Sequence, residues 1–196
     1  MLKEAESFTK DMKKYYPHSA LEVDPSYPTP KGKPIQVTIF VDADHATDLV
    51  NCKSITGIII LLGYTPYKWI SKRQTCISTS TFGAEFAAMR MAVEEAIAIT
   101  DLLKSIGIPV MDKARILGDN KGVIDNASIP GSALKKKHTS IAYHKVRECI
   151  ALDLCEIFHI KGTDNPADIL TKALSNELYY SNIFKLMFGQ SIYNCG

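Results

Sequence analysis

The sequence lacks any paired-cysteine pattern: its five cysteines, Cys52, Cys76, Cys149, Cys155 and Cys195, are odd in number and none stands at CxxC spacing. That excludes a cysteine-rich zinc module and argues against a disulfide framework, so the thiols read as reduced, intracellular ones. A charge bias is lacking too, since 23 Lys and Arg against 21 Asp and Glu leave a formal net charge of +2. Any contact with a polyanion must then be local. No stretch approaches the roughly 18 apolar residues of a membrane span. The opening MLKEAESFTKDMKKYY is charged and amphipathic and has no apolar signal core, so the expected location is the cytoplasm or nucleus rather than outside the cell. Internal repeats and low-complexity tracts are missing, as are the DTG or DSG of an aspartic protease and a nucleophile elbow. What is present is 196 residues at 46% hydrophobic content, enough to bury a sizeable core in one domain.

Along the chain, Leu2 to Tyr16 has the pattern of a short helix, after which Pro17, Pro25, Pro28, Pro30 and Pro34 interrupt regular structure. Residues 1–34 therefore read as an arm or linker. Ile35 to Val41 alternates as a first strand and ends in the acidic cluster Asp42, Ala43, Asp44. Gly57 to Gly63 reads as a buried strand and Tyr67 to Ser71 as its partner across a turn. Thr79 or Ser80 is placed to cap a long helix from about Phe82 to Ser105, closed by Gly107 and Pro109. A strand from Ala114 to Leu117 precedes Asp119 and Asn120, and a short helix runs to about Ala127. A helix from Ser140 to Ala151, a strand from Leu154 to Ile160 and a helical region opening at Asn165 and Pro166 complete the domain at about Leu174. Residues 175–196 read as a helical extension. The order implies an α/β domain: a five-stranded mixed sheet, three strands antiparallel and two parallel, with helices on both faces.

Four carboxylates recur at the ends of these elements: Asp42 after the first strand, Glu85 in the first turn of the long helix, Asp119 after the fourth strand and Asp168 early in the last helical region. A lone Asp in such a place is ordinarily a cap or turn residue. The set of four suggests more, because hydrolysing a phosphodiester with two Mg²⁺ ions about 4 Å apart needs several carboxylates to converge on hard cations. They must do so without Lys or Arg neutralising them. Neighbouring first and fourth strands would bring Asp42 and Asp119 together at their carboxyl ends. Asp44 lies on the same strand face as Asp42 and competes with it for that role.

The segments VDADHA, SKRQ, STSTFGAEFAA, LGDN, KKKHTSIAYHKVRE and ADILTKAL stand in the order in which they occur in the ribonuclease H domain of copia-type LTR retrotransposon polyproteins. The chain resembles that family from about Ile35 to Leu174. The resemblance implies a ribonuclease H fold whose catalytic and metal-binding acids are Asp42, Glu85, Asp119 and Asp168. It further implies two Mg²⁺, with Mn²⁺ as a substitute, an RNA:DNA hybrid as substrate, products with 3′-hydroxyl and 5′-phosphate ends, and a reverse transcriptase lying upstream. Where the family commonly has Trp, Gly and STEAEY, this chain has His45, Thr47 and STFGAEF. Phe82 and Gly83 fall at surface-type positions, which predicts changed local packing with the ligands kept.

Around the acids, Lys135, Lys136, Lys137, Lys145 and Arg147 with His138 and His144 form the densest basic region. By itself that is a solvated face as readily as a binding surface. The resemblance favours Lys137, His138, His144 and Arg147 as phosphate contacts, with Lys72 and Arg73 as a second group. Recognition of the RNA 2′-hydroxyl calls for small polar groups beside the site, and Asn120, Ser80, Thr81 and Thr79 are candidates. Asn120 serves equally as a helix cap. His159 is an auxiliary candidate near the last acid, and Trp69 and Tyr67 read as core or sheet-face residues. The alternative function is an inactive, nucleic-acid-binding relic of a retroelement; an integrase- or resolvase-like nuclease is disfavoured for want of a zinc-binding His and Cys array.

Overall fold

The computed structural model describes residues 12–17, 24–48, 52–75, 77–78, 80–129 and 140–188. Alternation in the first strand, β1 (Val37–Asp48), builds both sides of the sheet. Val37, Ile39, Val41 and Ala43 face the larger core, while Phe40 faces a smaller one. The next strand, β2 (Lys53–Leu62), is buried on both faces over its isoleucine run and pairs antiparallel with β1. β3 (Thr65–Arg73) completes the meander as an exposed edge. β4 (Ala114–Gly118) and β5 (Cys155–His159) add in parallel on the other side, giving the order β3-β2-β1-β4-β5. The mixed sheet read from the sequence is the one observed.

β1 runs well past Val41, where the sequence reading ended it, because Asp42, Ala43 and Asp44 still pair with Gly57, Thr56 and Ile55. Towards β4 the pairing stops at Phe40 opposite Leu117. Asp42 is thus inside a strand on one side and beyond its end on the other.

The larger core lies between the sheet and the long helix α1 (Thr81–Ser105), with α2 (Lys121–Ser128) and α3 (Ser140–Ala151) beside it. Phe86, Met89 and Val93 of α1 meet Ile39, Ile58, Ile60 and Ile116 from the strands and Val146 from α3. Gly83 is buried and the Phe82 ring lies 5.2 Å from that of Phe86. These two are packing positions, a correction to the surface placement. Met12 is also fully buried in this core, so part of the proline-rich N-terminal region packs onto the domain.

The opposite face is covered more thinly. The helical region expected from Asn165 to about Leu174 is only a short 3-10 turn (Pro166–Leu170), and a separate helix, α4 (Asn176–Phe188), lies within the stretch expected as a helical extension. Where the turn ends, the Leu170 carbonyl accepts from Ser71 Oγ of β3 at 2.7 Å, which ties the turn to the sheet edge. Ala167 and Leu186 from these elements close over Phe40, Ile59, Leu61 and Leu117. Trp69 remains on the sheet face but is exposed, lining a cleft of about 310 Å³ with Ile59, Pro66, Leu170 and Leu186. Tyr67 is exposed as well.

Candidate active site

β1 and β4 share only three residue pairs, ending at Phe40–Leu117. Beyond them the strands part and open the crevice at their carboxyl ends where open sheets place ligands. Asn165, fully buried, seals its base: Nδ2 donates to Val41 O at 2.9 Å and stands in for the missing ladder donor. Asp42 of β1 and Asp119, directly after β4, stand above it.

Glu85 reaches them from α1. The cap is Ser80, whose side chain accepts from Gly83 N at 3.2 Å, so Glu85 sits in the second turn rather than the first. Buried Gln74 fixes that helix start: its Nε2 donates to Thr56 Oγ1 at 2.9 Å and to Ala84 O at 2.8 Å. One carboxylate oxygen each from Asp42, Glu85 and Asp119 lies within 4.8 Å of the others. An all-carboxylate donor set at this spacing fits a hard divalent cation.

Asp168 joins through side chains that the sequence reading did not assign. Thr171 Oγ1 donates to Asp42 Oδ2. Lys172 Nζ donates to Asp42 Oδ1 at 3.1 Å and to Asp168 Oδ1 at 2.9 Å. The expectation of carboxylates without a basic neighbour is therefore corrected: a lysine bridges two of them. Both residues stand inside the ADILTKAL segment, and their spacing of three and four from Asp168 puts them on its side of a helical turn. That spacing was the available signal.

The charges strain one another. Burial, with Asp42 and Asp119 nearby, pushes Glu85 up to about 8. Burial also raises Asp119, with Asp42 adding to it. Asp168 rises to about 6, again chiefly by burial, against the pull of Lys172. Burial alone would lower the Lys172 ammonium, but its bond to Asp168 and the charge of Asp42 overcome that and hold it above its ordinary value. For Glu85 a folded value of about 8 against an ordinary 4.5 means that its protonated form is the one folding favours. Its stabilisation is complete below pH 4.5 and is lost as the pH rises through about 8. A bound cation needs the ionised form, so its stabilising effect grows over the same window. Thermal melts should show Mg²⁺ raising Tm little at pH 5.5 and by about 5–10 °C at pH 8, for a cation at about a hundredfold over its Kd. A shift independent of pH would remove Glu85 from the ligand set.

The other expected residues divide. Asp44 is half-buried and is not one of the three clustered acids. Asn120 caps α2, its Oδ1 accepting from Val123 N at 3.2 Å, which leaves the amide hydrogens as its donors beside Asp119. Ser80 is likewise a cap and Thr81 is exposed. Lys72 and Arg73 are exposed and follow Ser71, which pairs with Gly57, itself opposite Asp42, so they lie at the site's edge of the sheet. His159 is close: its Nε2 lies 3.0 Å from Asp119 O, and with a carbonyl as partner that nitrogen carries the proton. His144 is exposed, with Nδ1 2.9 Å from Tyr16 Oη. Thr79, Lys135, Lys136, Lys137 and His138 lie outside the described residues.

Arg147 is a correction. It is only 2% exposed. Its Nη1 donates to Asn126 O at 3.0 Å and Ile129 O at 2.8 Å, and its guanidinium sits 4.8 Å from the Tyr143 ring centre. It ties α3 to the end of α2 and does not face a ligand. The amphipathic run hid this, because a basic residue on a helix reads as surface until its neighbours are known. Arg147→Met should cost about 2–3 kcal/mol by leaving those carbonyls unpaired and leave nucleic-acid affinity unchanged. Chemical denaturation and a binding titration on the same variant check both halves; weakened binding in a stable variant would return Arg147 to the interface.

No family model matches the chain. Among curated proteins it is 30% identical over 156 residues, 80% of its length, to the retrovirus-related Pol polyprotein from transposon RE1 of Arabidopsis thaliana. It is 31% identical over 145 residues, 74% of its length, to that from transposon RE2 of the same plant. The chain spans only 11% and 10% of those relatives. Among solved structures, the N-terminal RNase H domain of a Mycobacterium tuberculosis protein matches with a TM-score of 0.54 at 15% identity, over 76% of this chain and 96% of that one. LC11-RNase H1 in complex with an RNA/DNA hybrid matches with a TM-score of 0.54 at 16% identity, over 69% of this chain and 94% of that one. At such identities the structures speak for the fold, and together with the sheet order they define a ribonuclease H-like domain. The chain's relatives are thus retrovirus-related Pol polyproteins of copia-type transposons, and the ribonuclease H domain of such a polyprotein fits it.

Proposed function

We propose that this domain hydrolyses the RNA strand of RNA:DNA hybrids during reverse transcription of its element, as the partner of a reverse transcriptase lying upstream in the polyprotein. The convergence of Asp42, Glu85 and Asp119 within 4.8 Å, on three separate elements, carries the reading. The fold and the polyprotein relatives give it context. Two Mg²⁺, or Mn²⁺ in their place, supply an activated water and neutralise charge on the phosphorus oxygens when bound. Asp42, Glu85 and Asp119 would hold them, with Asp168, tied to Asp42 through Lys172, completing the set.

The chain's own groups do the rest. Thr171 fixes the Asp42 rotamer, so a buried ligand keeps its aim without metal. Glu85, which burial keeps protonated up to about pH 8, is the acid that would give up a proton for a cation to be held. Asn120 and Ser80, at two helix starts flanking the acids, offer donors to the 2′-hydroxyls that set RNA apart from DNA. Lys72 and Arg73 meet phosphates at the sheet edge. Product ends test the chemistry. Fragments with 5′-phosphate and 3′-hydroxyl termini agree with attack by water, whereas 2′,3′-cyclic phosphates would show the RNA's own hydroxyl attacking and would sink the assignment.

A further inference from the structure

Lys172 works against a metal centre at this site. Its ammonium occupies the space between Asp42 Oδ1, at 3.1 Å, and Asp168 Oδ1, at 2.9 Å, where a cation shared by those two carboxylates would sit. Asp42 is fully buried. Without a positive charge at this point, its carboxylate would face Glu85 and Asp119 with no compensation, a costly arrangement in a desolvated pocket. Thr171 cannot provide that compensation, since a hydroxyl carries no charge.

The two contacts to Asp42 also differ in how they are held. Thr171 is buried, on the segment that packs under β2. The Lys172 side chain is 36% exposed and ends a flexible four-carbon stem with a route to water. One contact is built to stay and the other is free to leave.

We infer that Lys172 is the resident counter-cation of the carboxylate cluster, bridging Asp42 and Asp168 in the metal-free protein and giving way when a divalent cation binds. The inference rests on the metal-site reading above and adds a regulator to it. Lys172 makes the empty site stable and makes metal entry a competition, so loading requires a cation concentration that outbids an intramolecular ammonium. It is a positioning residue, acting through the ligands.

The competition has a signature that a purely structural lysine would not give: removing it lowers metal-free stability and raises metal affinity at once. Calorimetric Mn²⁺ titrations and thermal melts would compare the unaltered protein with Lys172→Met, Lys172→Arg and Lys185→Met. Lys185 pairs with Asp164 outside the cluster and serves as the control. Lys172→Met should melt lower without metal and bind Mn²⁺ about tenfold tighter or more, the scale of deleting one close competing charge. Lys172→Arg and Lys185→Met should bind as the unaltered protein does. Equal or weaker binding by Lys172→Met, with the unaltered protein binding normally, overturns the role of Lys172 and leaves the metal site standing. No binding by any of the four proteins overturns both. Should Lys172→Met not fold, a crystal structure of the unaltered protein with Ca²⁺ decides. The ammonium should have left both carboxylates, and a lysine still bridging them beside the bound ion would refute the displacement.

Discussion

Asp119→Asn should fold normally and lose hydrolysis by about a thousandfold or more, equivalent to about 4 kcal/mol on the barrier. The change keeps the side chain's shape and removes one of the three clustered negative charges. Asp119 also matters less to the fold than Asp42 or Asp168. Asp42 accepts from Thr171 and Lys172, and Asp168 from Lys172, whereas the Asp119 contact to His159 is made by its backbone carbonyl and survives the substitution. The neutral amide relieves repulsion on Glu85, so metal-free stability should hold or rise slightly. Circular dichroism, a thermal melt and single-turnover cleavage of a hybrid check the three parts. Retained turnover in a well-folded variant would take Asp119 out of the catalytic set.

Gly57→Ala should be strongly damaging for so small a substitution. Gly57 pairs with Asp42 across the sheet, and a methyl group there would lie 2.7 Å from Thr171 Cγ2 and 2.8 Å from Ala167 O. A side-chain tip could turn aside, but a backbone carbonyl moves only with its segment. That segment carries Asp168, Thr171 and Lys172. The expected cost is about 2–3 kcal/mol, a fall in Tm of about 5–10 °C for a domain of this size. Activity should fall further than stability, because the shifted turn withdraws Asp168 and the hydroxyl that aims Asp42. A melt and a Mn²⁺ titration on the same sample separate the effects. Wild-type stability with wild-type metal affinity would mean that the turn does not need its close approach to β2.

What the sequence made legible, and what it hid, follows from range. Strand alternation and the apolar stripe of α1 are local, so the elements and the mixed character of the sheet could be read directly, while the neighbouring of β1 and β4 entered only as a condition. Asp42, Glu85 and Asp119, which the structure brings together, stood out because each lies near the end or start of an element whose direction was readable. Glu85 slipped by a turn because Thr79 and Ser80 both make good caps, and tertiary contacts through Gln74 chose between settings of the helix start. The extension of β1 past Val41 depends on pairing with β2, the next strand, because alternation within one strand does not show where its partner stops. Lys172 and Gly57 matter through contacts 130 residues and a sheet pairing away, and no local pattern reports those. Arg147 shows the converse: a charge that looked like surface is internal because carbonyls at the end of α2 and the rings of Tyr143 and Tyr15 receive it.

The central claim is that this carboxylate cluster cuts RNA paired to DNA. Its most direct test is a single comparison: end-labelled RNA:DNA hybrid, double-stranded DNA and double-stranded RNA of one sequence, each with Mg²⁺, Mn²⁺ or EDTA. Loss of the hybrid's RNA strand alone, dependent on either cation and stopped by EDTA, is the predicted result. A folded protein that binds the hybrid and leaves it intact in both cations would contradict the claim and point to a nucleic-acid-binding relic.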